Sequence, residues 1–230
     1  KERTRKGETP PSGLIAAAGR PTAGRGRWGA SWLSAREGDI MFSFLWEAAI
    51  QPEAVGTLPL ACGLGVRDFL ALDILGVDAR CKWPNDVLVG DGKICGILTE
   101  GGLVGEGRFR LVVGIGVNVR KMPGRDDSIG RPTGNLEELL GRRLSPEELL
   151  PALLRSLERR ISQWQIGGYA AIRPDLQEVL WGVGRSATAR LGTGRTSGVV
   201  EGIGDNGELL LRRESGEIIA IPSVSALEDF

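Results

Sequence analysis

Residues 79–100 read ARCKWPNDVLVGDGKICGILTE, and they carry the clearest secondary-structure pattern in the chain. It contains two short runs of strand-forming residues, at 79–83 and 86–89, and a longer run at 93–100. The last two runs are separated by Gly90-Asp91-Gly92, a tight-turn sequence that is typical of a β-hairpin. The centre of the chain is therefore predicted to consist of neighbouring β-strands.

Further strands and helices are predicted on both sides of this hairpin. An unbroken apolar run at residues 39–46 and a partly alternating run at 108–119 have the length and composition of strands. One helix is expected over about residues 52–75. Another is expected over about residues 146–165, because Ser145 and the residues after it form an N-terminal capping signature. This mixture of elements predicts an α+β fold.

The pattern of predicted secondary structure changes after residue 181. Four short β segments follow within 50 residues, and Asn206-Gly207, the strongest short hairpin signal, separates two of them. Such closely spaced strands are typical of a small barrel. We therefore expect three regions: a disordered polar segment at 1–11, a large domain at 12–182 and a small β domain at 183–230.

Composition excludes several classes of protein. Among the 230 residues, Lys and Arg number 29 and Asp and Glu number 29, so the formal net charge is zero. A neutral chain argues against a dedicated nucleic-acid or membrane-surface binder. No apolar run reaches the length of about 18 residues that a spanning helix needs. We therefore predict neither export nor a membrane span.

The chain contains no histidine, which excludes catalytic triads, imidazole bases and histidine-ligated metals. The three cysteines, Cys62, Cys81 and Cys95, form no Cys-x-x-Cys motif and predict reduced thiols in a cytoplasmic protein. Any chemistry must therefore use other groups.

Residues 24–29 (GRGRWG) formally match the dinucleotide-binding pattern Gly-x-Gly-x-x-Gly. That pattern must open a helix, and residues 30–39 show no helical periodicity. Glycine backbone beside two guanidinium groups suits phosphate or carboxylate oxygens better. Residues 1–36 contain eight basic residues and two acidic ones, so a solvated basic tail is the alternative.

The central hairpin carries a second group of polar side chains. Asn85 and Asp86 lie at a corner between two strands, and Lys93 returns along the hairpin opposite Asp86. Such a carboxylate can orient the lysine or hold Mg²⁺, and the ammonium can neutralise charge on a transferring phosphorus group. The alternative is an ordinary surface hairpin with one ion pair worth less than about 1 kcal/mol.

Four blocks of the sequence resemble, in the correct order, the signatures of biotin protein ligases. They are Gly24-Arg25-Gly26-Arg27 with Trp32, then residues 82–86, 93–100 and 114–118. The stretch from residue 198 through the Asn206-Gly207 turn is similar to the SH3-like C-terminal domain of that family.

The resemblance implies a mixed β-sheet catalytic domain with helices on one side, related to lipoate ligases, and a small SH3-like β-barrel. It also implies a cytoplasmic enzyme that makes biotinyl-5′-AMP from biotin and ATP with Mg²⁺. Biotin then passes to a lysine of a biotin carboxyl carrier protein domain. No DNA or membrane partner is expected, and a homodimer is compatible with the pattern. Two alternatives stay open: a biotin or biotinyl-AMP binding module with impaired transfer, and a lipoate or octanoate ligase.

The resemblance also assigns roles to single residues. It implies catalytic roles for Lys93, Arg27 and Asp86, with Lys93 on the activated carboxyl and the α-phosphate. The other residues that it implies around the substrates are Gly24, Arg25, Gly26, Trp32, Asn85, Gly96, Gly114 and Asn118.

The sequence departs from the family pattern at three places before the central hairpin. The Ser-Thr-Asn segment of the family has no visible counterpart, Pro21 replaces a common glutamine, and Ala30 replaces an arginine. The contacts that these groups make to an anion or to the ureido ring of biotin are therefore expected to be weakened, unless further sequence precedes Lys1.

Overall fold

The computed structural model describes residues 10–17, 26, 38–74, 76–120, 132–191, 194–223 and 226–229. These residues form two β-sheets and a layer of helices, which confirms the α+β class. The expectation of disorder in residues 1–11 falls mainly outside the described residues.

The larger sheet has six strands in the order β1-β2-β6-β5-β4-β3, with antiparallel neighbours throughout. Its mixed character comes from two isolated parallel bridges, Cys81 with Leu180 and Lys93 with Thr133. The strands are β1 (Ile15–Ala17), β2 (Ile40–Ala49), β3 (Ala79–Lys82), β4 (Asp86–Val89), β5 (Gly92–Gly105) and β6 (Arg108–Val117).

Five α-helices lie in the described part of the chain. They are α1 (Pro52–Val55), α2 (Leu58–Asp68), α3 (Leu136–Leu140), α4 (Pro146–Gly167) and α5 (Arg173–Glu178). A π-helical turn at Phe69–Ile74 follows α2, and a 3₁₀ turn at Tyr169–Ala171 follows α4. The predicted cap of α4 is confirmed, because the Ser145 hydroxyl accepts a hydrogen bond from the Glu148 amide at 3.3 Å.

The prediction of a single helix over residues 52–75 is wrong, because the helix is interrupted. The chain breaks at Gly56 and Thr57, and α2 begins anew with Pro59 in its first turn. Proline lacks an amide hydrogen and has a fixed φ, so it fits the first turn of a helix and not the interior. Two helices and the π-helical turn therefore replace one continuous helix.

Helices α2 and α4 pack closely together on one face of the large sheet. A Cβ atom at Gly65 would lie 2.9 Å from the Leu157 Cα atom, so glycine is needed for this approach. Residues 52–71 are long and apolar enough to cross a membrane by length and composition alone, and 67% of that window is buried in the fold. Its apolar character follows from the position of α2 in the protein core.

The second sheet contains five antiparallel strands in the order β10-β9-β8-β7-β11. Four of them were expected from the sequence and the last was missed: β7 (Ser186–Leu191), β8 (Gly194–Ile203), β9 (Leu209–Arg212), β10 (Ile218–Ile221) and β11 (Ala226–Asp229). This sheet lies where the resemblance implies an SH3-like domain. The fully buried Trp83 joins the two sheets, because its indole Nε1 donates to the Gly207 carbonyl at 2.9 Å.

The division at residue 183 stays a prediction. Buried apolar residues of both sheets belong to one hydrophobic cluster, which extends from Ile40 in β2 to Ile221 in β10. The two sheets therefore share part of their core.

Candidate active site

The two faces of the large sheet have different surroundings. Trp46 of β2 packs against Trp164 of α4, with ring centroids 5.4 Å apart. A Cβ atom at Gly63 of α2 would lie 3.9 Å from Ile97 of β5. Trp46 and Ile97 therefore point toward the helices. Because side chains alternate along a strand, their neighbours point to the opposite face, which we call the distal face.

A strip of small residues crosses the distal face. Gly96 of β5 is paired with Gly116 of β6, and Gly114 of β6 is paired with Ser43 of β2. Directly paired residues share a face, so these four residues together form the glycine strip. A ligand can approach the backbone closely where side chains are missing. Gly96 and Gly114, which the resemblance implies as substrate neighbours, therefore lie on the same surface.

A β-bulge places Lys93 on this same face. Val87 is paired with Cys95, and Leu88 is paired with Lys93, so Ile94 has no partner in β4. In a regular strand Lys93 would share the face of Cys95 and point toward the helices. The extra residue reverses its direction. Lys93 therefore points to the distal face, next to the glycine strip.

The predicted proximity of Lys93 and Asp86 is confirmed. The lysine Nζ lies 2.6 Å from the Asp86 Oδ1 atom, and the two side chains are 26% and 12% exposed. Asp86 is directly paired with Gly96, so the ion pair lies at the end of the glycine strip. The Asp86 carboxylate is much less exposed than the carboxylate of an ordinary surface ion pair. The alternative of an ordinary surface hairpin with one solvated ion pair therefore does not describe this site.

The backbone of Lys93 is held on both sides. Its amide donates to the Pro132 carbonyl at 3.0 Å, and its carbonyl accepts from the Gly134 amide at 3.1 Å. The Asn118 side-chain Nδ2 donates to the carbonyls of Lys93 and Gly134, at 3.0 and 3.1 Å. Asn118 therefore anchors the lysine end of the site.

Asn85 closes the corner between β3 and β4. Its side-chain Nδ2 donates to the Ile97 carbonyl at 2.7 Å, and its own carbonyl accepts from the Ile97 amide at 2.9 Å. These bonds fix the backbone next to Asp86. The implied contact of Asn85 with a substrate stays a prediction.

Most of the glycine-arginine part of the expected site falls outside the described residues. Gly24, Arg25, Arg27 and Trp32 lie outside the described residues, as do Pro21 and Ala30. Gly26 is described and is partly buried, without regular secondary structure.

Sequence reasoning missed two members of the glycine strip, Gly116 and Ser43. Gly116 lies two residues after Gly114, so strand alternation could have found it. Ser43 joins the strip only through the pairing of β2 with β6, for which the sequence carries no local signal.

The three cysteines are free and buried, as expected of structural thiols. Burial raises the pKa of the Cys62 and Cys81 thiols to about 12 and also raises the pKa of Cys95. The reactivity of Cys81, next to Lys82, is therefore low. None of these thiols is a suitable nucleophile at neutral pH.

We expect iodoacetamide to leave all three thiols unmodified in the native protein at pH 8. A thiol with a pKa of about 12 has only about one thiolate in 10⁴ at that pH, and it gains reactivity only as the pH rises toward the pKa. Intact-mass spectrometry would measure the labelling, with the urea-unfolded chain as the control that takes up three groups. Rapid native labelling would contradict the burial of these thiols.

A two-sheet α+β architecture, with a lysine–aspartate pair beside a glycine strip, indicates an enzyme that handles an anionic substrate. The chain belongs to the biotin/lipoate A/B protein ligase family, whose sequence profile matches residues 2–118. A relative from Paracoccus denitrificans, named biotin–[acetyl-CoA-carboxylase] ligase, is 34% identical over 202 residues, which cover 84% of this chain and 82% of the relative.

Two further comparisons extend the likeness. The bifunctional ligase/repressor BirA of Bacillus subtilis is 29% identical over 90% of this chain, which spans 63% of that protein. A solved biotin protein ligase from Aquifex aeolicus, in complex with biotin and ATP, superimposes with a TM-score of 0.82 and 28% identity. That match covers 99% of this chain and 94% of the other.

Proposed function

We propose that this protein attaches biotin to a lysine of a biotin carboxyl carrier protein domain, with ATP as the energy source and biotinyl-5′-AMP as the intermediate. The observation that carries the proposal is the β-bulge, which directs Lys93 to the glycine strip. There the Lys93 Nζ atom lies 2.6 Å from the Asp86 Oδ1 atom. The names of the relatives support biotin as the acid.

In the first step, a carboxylate oxygen of biotin attacks the α-phosphorus of ATP. A carbon–oxygen–phosphorus anhydride forms, the bond to the β-phosphate breaks, and pyrophosphate leaves. Both reactants are anions, so a fixed cation between them lowers the barrier. Lys93 provides that cation. The glycine strip lets the acid lie close to the strand backbone.

In the second step, the amine of the carrier lysine attacks the carbonyl carbon of the adenylate. An amide bond forms, the bond between the acyl carbon and the phosphate oxygen breaks, and AMP leaves. The attacking amine must lose a proton, and Asp86 is the described carboxylate nearest to Lys93 that can accept it.

Mg²⁺ fits the same arrangement. Within the described ranges no group of three metal-ligating side chains occurs. Mg²⁺ commonly binds nucleotide phosphates and takes only one or two protein carboxylates. Asp86 would supply such a carboxylate, and the ion would neutralise phosphate charge. Free thiols support the cytoplasm as the location; a homodimer stays a prediction.

Labelled biotin, ATP and a carrier domain, incubated with the protein, test the proposal. We expect ATP-dependent labelling of the carrier, and omission of ATP serves as the control. Labelling by lipoate or octanoate, and not by biotin, would indicate the related ligase. Biotin binding in calorimetry without any labelling would indicate a binding module.

Gly114→Ala is expected to weaken biotin binding about tenfold, because one added methyl group rises from the glycine strip. The new Cβ atom would lie 3.5 Å from the Ser43 hydroxyl oxygen and 3.7 Å from the Leu98 carbonyl oxygen, so the fold accommodates it. Isothermal titration calorimetry would measure the affinity. Gly102→Ala is the matched control, because its Cβ atom meets nothing within 4 Å. An unchanged affinity in the Gly114 variant would remove the strip from the binding site.

A further inference from the structure

The turn of the β4–β5 hairpin is held by the segment that leads into the second sheet. The Trp181 indole Nε1 donates to the Gly90 carbonyl at 3.0 Å, and Arg185 forms an ion pair with Asp91 at 2.9 Å. The backbone amide of Trp181 also donates to the Cys81 carbonyl of β3 at 2.8 Å. Trp181 therefore contacts both the edge strand and the hairpin turn.

The indole ring of Trp181 also contacts two cations. The Lys82 Nζ lies 4.7 Å from the ring centroid, and the Arg185 guanidinium carbon lies 4.5 Å from it. Trp181 and Lys82 are buried, with exposures of 8% and 7%. Lys82 is the directly paired neighbour of Asp86. The Trp181 ring therefore contacts Lys82, the residue of β3 that is paired with Asp86.

The hairpin needs this support because of its place in the sheet. β4 contains four residues, and among the described residues only the four-residue strand β3 lies beyond it at the sheet edge. Lys93 is the second residue of β5, directly before the bulge. A displacement of Gly90 and Asp91 would therefore move the start of β5 and with it the lysine. A misplacement of about 1 Å can cost about 100-fold in rate.

We propose that Trp181 is a positioning residue for the ligase reaction: it fixes the hairpin at Gly90 and Lys82, and thereby holds Lys93 and Asp86 at the end of the glycine strip. This inference rests on the proposed function. Trp181 touches no substrate in this scheme. It acts on kcat through the lysine and aspartate.

Two variants separate the contributions of the indole. Trp181→Phe retains an aromatic face for the two cations and loses the donor to Gly90. Trp181→Leu loses both. Trp164→Phe is the matched control, because Trp164 is also buried and its Nε1 also donates a hydrogen bond, to the Thr57 hydroxyl at 2.8 Å. Trp164 lies on α4, and its ring packs against Trp46 of β2.

Biotin-dependent exchange of pyrophosphate into ATP measures the first step. We expect Trp181→Leu to lower kcat about 100-fold and Trp181→Phe to lower it less, with little change in the KM for ATP. Trp164→Phe should keep kcat within about twofold, although both sites lose stability when altered. Circular dichroism at the assay temperature identifies the folded variants. A folded Trp181→Leu protein with the wild-type kcat would overturn the inference.

A double-variant cycle with Lys93→Ala tests whether Trp181 acts through the lysine. If it does, adding Trp181→Leu to Lys93→Ala lowers the remaining rate no further, because residues in one network are not additive. Full multiplication of the two losses would assign Trp181 an independent structural role and overturn the proposal.

A readout without activity separates this inference from the proposed function. We expect amide hydrogen exchange across residues 86–96 to become faster in Trp181→Leu and to stay unchanged in Trp164→Phe. If the two variants show this amide-exchange pattern and the wild-type protein shows no biotin-dependent pyrophosphate exchange, the proposed function alone is contradicted. Unchanged amide protection in Trp181→Leu would overturn the positioning role, whatever the activity.

Discussion

Replacement of Lys93 by alanine is expected to lower the rate of biotinyl-5′-AMP formation about 10³-fold, which is the loss that follows removal of one preorganised charge from a reacting centre. The ammonium lies 2.6 Å from Asp86, at the end of the glycine strip. Without it, two anions must approach each other with no fixed cation from this hairpin. The variant also leaves the Asp86 carboxylate without this partner, which adds local negative charge.

Biotin-dependent pyrophosphate exchange is the measurement for this prediction. Arg108→Ala is the matched control, because Arg108 also forms an ion pair on the same sheet, at 3.2 Å from Glu47. Arg108 lies at the start of β6, whereas Gly114 and Gly116 of the glycine strip lie near the end of that strand. Its loss should change the rate by less than about twofold, as expected for an exposed ion pair. Affinity for the carrier domain should change far less than the exchange rate in the Lys93 variant. Equal rates for Lys93→Ala and the wild type would remove Lys93 from the mechanism.

The second large effect is expected for Asp68→Ala, which should lower the free energy of unfolding by about 3 kcal/mol. The Asp68 side chain is only 2% exposed, at the end of α2. It accepts from Arg160 of α4 at 2.6 Å, and from Arg67 at 3.3 Å. Its removal leaves a largely buried guanidinium with fewer partners. Urea denaturation followed by circular dichroism would measure the loss.

Asp175→Ala is the control for that experiment, since Asp175 binds the same Arg160 side chain but is 46% exposed. A loss of less than about 1 kcal/mol is expected there, because solvent screens an exposed pair. The same small loss in the Asp68 variant would show that burial does not strengthen this ion-pair cluster.

Most strands and the long helix α4 were predictable from local sequence. The unbroken apolar run before Trp46, the Gly90-Asp91-Gly92 turn and the Ser145 cap each depend on interactions between residues close in the chain. Strand β11 and the break before α2 were missed. β11 forms through pairing with β7, and the break depends on a proline whose effect changes with its position in the helix.

The residues available for chemistry follow from the amino-acid sequence alone. It contains no histidine, three cysteines in apolar surroundings, and a lysine and an aspartate on opposite sides of a short hairpin. The directions in which these groups point depend on the three-dimensional fold. The bulge at Ile94 reverses the face of Lys93, and the pairing of β2 with β6 brings Ser43 beside Gly114. Strand pairing joins residues far apart in the chain, and its register is set by the packing of whole faces, so no local pattern encodes it.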